Sequence, residues 1–134
     1  MQQPDTGCSC SLFPLHEPQK NTNGGIHMLR FGQMINVKPE GLAAYKKWHA
    51  NPMPGVNEMI KECHLKNYSI YSRGDYLFSY FEYDGEDFDA DMAKMAADPN
   101  TQAWWDVVKP LMQPLPDRKE GEFWSDMEEI YHLD

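Results

Sequence analysis

The apolar positions of this chain change period along its length, and the changes mark out its elements. From Met28 to Val37, Leu29, Phe31, Ile35 and Val37 share one parity with Gln33 interrupting it, which predicts a first strand. Lys38-Pro39-Glu40 then opens a helix, since proline is tolerated in the first turn, where its missing N–H would be unpaired anyway. Leu42, Tyr45, Trp48 and His49 form its stripe toward the sheet. The helix must break at Asn51-Pro52-Met53-Pro54-Gly55, and a second piece follows with Val56, Met59, Ile60 and Cys63 at helical spacing. Two aromatic runs, Leu65 to Ser72 and Tyr76 to Tyr83, flank Arg73-Gly74-Asp75 and predict a hairpin of adjacent antiparallel strands.

The second half repeats the alternation. Asp87 to Ala97 reads as a helix burying Phe88, Met92, Met95 and Ala96, ended by Asp98-Pro99. Asn100 is the expected cap of the next helix, which carries Ala103, Trp104, Val107, Val108 and Leu111. A polar, proline-bearing loop spans Gln113 to Glu122, and Glu122 to Leu133 reads as the last strand, best from Met127 onward. The order β-α-β-β-α-(α)-β is the split βαβ pattern of an α+β, ferredoxin-like antiparallel sheet. Helices on one face leave the other bare, and large aromatics there call for a second copy to cover it.

Composition narrows the partners. The formal charge of −9 excludes nucleic acid and an anionic membrane, both of which demand clustered Lys and Arg. No apolar run approaches the roughly 18 residues of a membrane span, and Cys8 to Leu15 is too short, without a basic flank, for a secretion signal. The expected setting is cytoplasmic. Residues 1–25, closing on Asn23-Gly24-Gly25, lack any period and read as a flexible lead-in, so the folded domain is placed at residues 26–134. Three cysteines make no disulfide framework, and the Cys8-x-Cys10 pair lacks further ligands at metal-binding spacing.

Candidate chemistry centres on Tyr45 and His49, four apart and so one above the other on a helix face. Histidine alone has an unperturbed pKa, about 6.5, that lets it exchange protons at neutral pH. Tyr68 and the Trp104-Trp105 pair add surfaces that pack on the C–H faces of a sugar while their polar atoms meet hydroxyls. No phosphate loop, nucleophile elbow or zinc helix is present. Each residue also has a plainer role open to it: His49 as a cap or surface group, Tyr45, Tyr68 and Trp104 as core. Trp105 points about 100° away from Trp104, which suits a dimer contact as well as a substrate.

The segment from Met28 to Asp134 resembles the L-rhamnose mutarotases. The resemblance rests on Tyr45-x-x-x-His49, Asn67-Tyr68-Ser69-Ile70-Tyr71, Tyr76 to Tyr83, Met92 to Pro99 followed by Trp104-Trp105, and Met127 to Leu133, taken in order. It implies a dimeric α+β barrel in which His49 is the proton donor and Tyr45, Tyr68, Trp104 and Trp105 bind a monosaccharide, with no metal or organic cofactor. The implied reaction interconverts the α and β anomers of a 6-deoxy sugar by acid/base ring opening and closure, which makes the protein an isomerase. One departure stands out: relatives commonly have Trp-Pro-Glu after the histidine, where this chain has Met53-Pro54-Gly55. Three alternatives remain at this stage: an L-fucose or other deoxy-sugar mutarotase, a cofactor-independent monooxygenase on the same barrel, and a non-catalytic sugar-binding dimer.

Overall fold

The computed structural model describes residues 28–134. The expected lead-in over residues 1–25, the start near Ile26 and the Cys8/Cys10 pair lie outside the described residues. The elements run β1 (Leu29–Val37), a 3-10 turn (Pro39–Gly41), α1 (Leu42–Ala50), α2 (Val56–Glu62), β2 (Leu65–Arg73) and β3 (Tyr76–Tyr83). They continue with α3 (Phe88–Ala97), α4 (Pro99–Val108), a second 3-10 turn (Lys109–Leu111), β4 (Met112–Gln113) and β5 (Ser125–Met127).

Every pairing in the sheet is antiparallel, in the order β2-β3-β1-β4, with β5 also on β1. This is the predicted ferredoxin-like order, with β4 and β5 sharing one edge of β1. Period 2 sorts the faces. Phe31, Gln33, Ile35 and Val37 of β1 and Leu77, Ser79, Phe81 and Tyr83 of β3 are buried. Across the ladder Phe31 meets Phe81 and Ile35 meets Leu77. The Phe31 ring stacks on Phe81 at 4.7 Å and on Phe88 of α3 at 4.8 Å, which pins that helix to the sheet.

Gln33, the residue that broke the strand's parity, is 1% exposed and still faces inward. Its Nε2 donates to Asp126 Oδ1 of β5 at 2.9 Å, so the amide is buried with a partner.

Two expectations are corrected. The cap of α4 is Asp98, not Asn100: its carboxylate accepts from the Thr101 N–H and hydroxyl, both at 2.9 Å. Pro99 occupies the first helical position, where its fixed φ starts the helix two residues before a cap at Asn100 would. The last strand spans only Ser125–Met127, opposite Met34 to Gly32, and residues 128–134 carry no regular structure. Beyond Met127 the tail is tied to β1 by an ion pair, Arg30 Nε to Glu129 at 2.9 Å, in place of a backbone ladder. Ile130, Tyr131 and Leu133 stay exposed, so their apolar pattern does not mark a strand.

Candidate active site

Helix α1 supplies the imidazole. His49 Nδ1 lies 2.8 Å from the carbonyl oxygen of Tyr45, one turn earlier. A carbonyl only accepts, so Nδ1 carries the proton in the neutral ring and Nε2 keeps the lone pair. The ring stacks on the Tyr45 ring at 4.1 Å and takes an edge contact with Trp104 of α4 at 5.0 Å. Enclosed this way, His49 is half-buried, and burial lowers its pKa from the usual imidazole value, partly opposed by the bond to Tyr45. It is therefore neutral at pH 7.

The break after α1 builds the next wall. Gly55 at φ 86° is the left-handed residue that starts α2, a conformation costly for other residues. It turns Val56, Asn57, Ile60 and Lys61 toward the same space as His49.

Strand β2 supplies the phenol through a bulge. Its register on β3 passes from Lys66 opposite Glu82 to Ser69 opposite Tyr80, one residue more on β2 than on its partner. Bulges re-aim side chains. Asn67 takes a positive φ of 50°, which asparagine tolerates better than most residues. It is clamped there by Nδ2 donating to Glu82 at 2.7 Å, while the Tyr80 hydroxyl donates to the same carboxylate at 2.6 Å. Those donors hold the Glu82 carboxyl below its ordinary pKa. Tyr68 then packs on Phe81 at 5.3 Å, and burial pushes its hydroxyl up to about 12.

Together these elements enclose an open cavity of about 880 Å³ in whose wall His49, Tyr68 and Trp104 meet. Tyr45 does not line it but is buried directly behind His49. Burial, and then the nearby Tyr68, hold its hydroxyl protonated far above the ordinary phenol range. Trp105 is also buried, on another side: Lys109 Nζ sits 4.9 Å from its ring and 5.3 Å from Phe123. The adjacent indoles thus serve different surfaces, as the turn between them requires. Trp48, expected to face the sheet, is partly exposed and packs its ring edge-on to Trp104 at 6.3 Å. Among the described residues no group of three or more His, Cys, Asp or Glu is arranged to hold a metal ion.

Asn57, Lys61 and Lys66 were not singled out by sequence reasoning and line the cavity. Asn57 and Lys61 stand one turn apart on α2, but at that spacing a cavity wall and a solvated face look alike in sequence.

The family model described as L-rhamnose mutarotase matches residues 30–133. An L-rhamnose mutarotase of Ligilactobacillus salivarius is 34% identical over 111 residues, spanning 79% of this chain and 98% of that protein. One of Mannheimia succiniciproducens is 31% identical over 109 residues, spanning 80% and 100%. Among solved structures, an L-rhamnose mutarotase from Formosa agariphila superposes with a TM-score of 0.61 at 21% identity, covering 78% of this chain and 98% of that one. At that identity the superposition speaks to the fold.

Proposed function

This chain belongs to the L-rhamnose mutarotase family, and from that premise we propose that His49 carries the protons of its anomer exchange. The activity is that of an isomerase acting on L-rhamnose. Ring opening removes a proton from the anomeric hydroxyl, delivers one to the ring oxygen and breaks the bond between that oxygen and C1. Rotation about C1–C2 and reclosure on the other face reverse the steps. Both oxygens are bonded to C1, so a single nitrogen serves each in turn. Neutral His49 takes the hydroxyl proton at Nε2 and returns it to the ring oxygen. What carries this reading is the bond from Nδ1 to the Tyr45 carbonyl at 2.8 Å, which reserves Nε2 for the reaction.

In this reading Tyr68, protonated at any physiological pH, donates to a sugar hydroxyl, and Trp104 offers an apolar face to the ring. Tyr45 acts from behind His49 by stacking on it and holding Nδ1, and Trp105 supports Trp104 through the shared helix. The test is saturation-transfer NMR on L-rhamnose with wild type and His49→Gln, beside calorimetry of sugar binding. General acid/base catalysis is worth about 10² to 10⁴-fold, so exchange should fall by that factor while binding persists. Unchanged exchange in the variant removes His49 from the mechanism. L-fucose in the same panel separates the closest alternative substrate.

The reading extends to a homodimer, a cytoplasmic setting and a domain starting near residue 26. Met34, Phe78 and Tyr80 lie half-buried on the sheet face away from the helices, with Tyr71 and Tyr76 exposed beside them. Such a patch suits a second copy. Cys63, a buried free thiol, suits a reducing compartment, and the family match beginning at residue 30 supports the domain start. Light scattering of the purified protein tests the dimer: a monomeric mass at micromolar concentration overturns it.

A further inference from the structure

The face that α2 turns to the cavity is divided in two. Val56 and Ile60, one turn apart, give it an apolar row, and Asn57 and Lys61 beside them give it a polar one. Gly55, which starts the helix at φ 86°, brings no side chain, so Asn57 is the first polar group that α2 offers to this space. His49, Tyr68 and Trp104 reach the same cavity from α1, β2 and α4. A deoxy sugar is divided likewise, with a methyl and C–H groups on some sides and hydroxyls on others.

The polar side chains of the wall are not equally free to meet a hydroxyl. Lys66 is paired with Asp84, and Asn67 gives an amide N–H to Glu82. His49 Nε2 is engaged, in the proposed mechanism, with the reacting oxygens at C1. The Lys61 ammonium and the Trp104 indole N–H can only donate, and Tyr68 offers a single hydroxyl. Asn57 has no hydrogen-bond partner among the described residues, and its amide carries donors and an acceptor side by side. Each sugar hydroxyl both donates and accepts. One primary amide can therefore hold two neighbouring hydroxyls, giving its N–H to one oxygen and taking the O–H of the next at its carbonyl, which an ammonium group cannot do.

Resting on the mutarotase reading, we infer that Asn57 is a specificity-determining residue, whose side-chain amide holds two neighbouring ring hydroxyls of the sugar while C1 lies at His49. Those hydroxyls take no part in the reaction. The contact therefore serves ground state and transition state alike and acts on KM, leaving kcat to His49.

Anomer exchange by saturation-transfer NMR on the full chain tests this, with L-rhamnose and its 2-, 3- and 4-deoxy analogues, each lacking one ring hydroxyl. Wild type should show a raised KM for the two analogues that lack a hydroxyl held by Asn57. Asn57→Ala should raise the KM for L-rhamnose by about tenfold, at a few-fold for each of two neutral hydrogen bonds, and change kcat less than twofold. Alanine is the better helix former, which separates a lost contact from a frayed α2. In Asn57→Leu the same two analogues should show no higher KM than L-rhamnose, because the group that told them apart is gone. Glu58→Ala, next along α2 but outside the cavity wall, should leave every KM within twofold. An unmoved KM in Asn57→Ala, or an analogue pattern in Asn57→Leu that matches wild type, overturns the inference and leaves L-rhamnose exchange standing. If wild type does not accelerate the exchange of L-rhamnose at all, the mutarotase reading fails and this inference with it.

Discussion

Replacing Gly55 by alanine tests what sets the break between α1 and α2. Gly55 sits at φ 86°, and a Cβ built there would lie 2.4 Å from Asn100 Nδ2 and 3.2 Å from Asn100 Cβ. Two costs follow. Holding an L-residue in the left-handed region costs about 1–2 kcal/mol. A stiffer unfolded chain offsets this by about 0.4–1 kcal/mol. The Asn100 amide is the far end of an exposed side chain and can swing away, which adds a few tenths. The net expectation is a loss of about 1 kcal/mol, a fall in Tm of roughly 4 °C for a domain of this size. Urea denaturation of Gly55→Ala, Asn100→Ala and the double variant separates the causes. Asn100→Ala alone should be near neutral, because the helix cap is Asp98, and in the double variant it should restore less than half of the loss. Full restoration would place the cost in packing, and no loss at all would refute the reading that α2 starts there because Gly55 can hold a left-handed φ. The same reasoning covers the position's departure from relatives: Gly55→Glu should destabilise at least as much as alanine, since the backbone here has already left the region a glutamate prefers.

Four further outcomes are expected. Because burial lowers the His49 pKa and the proposed mechanism uses its neutral form, the acid limb of kcat/KM should fall below pH 6.5; a limb at or above 6.5 contradicts that proposal. The sign for stability runs the same way. An unfolded chain takes up the His49 proton first as pH drops through about 6.5, so wild type should lose stability down to the folded pKa, and His49→Gln should flatten that part of a pH series of melts. Tyr68→Phe should raise the KM for L-rhamnose by about three- to tenfold, the worth of one neutral hydrogen bond, with the fold intact by circular dichroism. Asp98→Ala removes both bonds to Thr101 and should cost about 1 kcal/mol in denaturant titration, with Asp98→Asn recovering most of it.

Local chemistry made most of this architecture readable. The alternation in Leu29 to Val37, the glycine turn at Gly74 and the prolines after His49 each name an element without reference to anything distant, and β1, the hairpin and the α1/α2 break follow them. Reading failed where a distant partner decided the outcome. Gln33 looked like a break in the strand because its partner, Asp126, lies 93 positions away. Ile130, Tyr131 and Leu133 looked like a strand because their pattern does not reveal that the ladder on β1 ends at Met127.

The candidate site divides along the same line. The tie from His49 to the Tyr45 carbonyl is a one-turn contact, implicit in the spacing of the two residues, and it fixes which nitrogen is free. What makes that nitrogen useful is not local. The lowered pKa comes from burial, to which Trp104 contributes from a helix 55 positions away, and Tyr68 reaches the same cavity from a bulge where Asn67 holds a positive φ against Glu82. Sequence spacing therefore singles out the imidazole that we propose as proton carrier, whereas its poise depends on α4 and the β2 bulge beside it. A substitution that relaxes the bulge, such as Glu82→Ala, should accordingly shift the acid limb of the pH profile upward toward 6.5 without touching the imidazole itself.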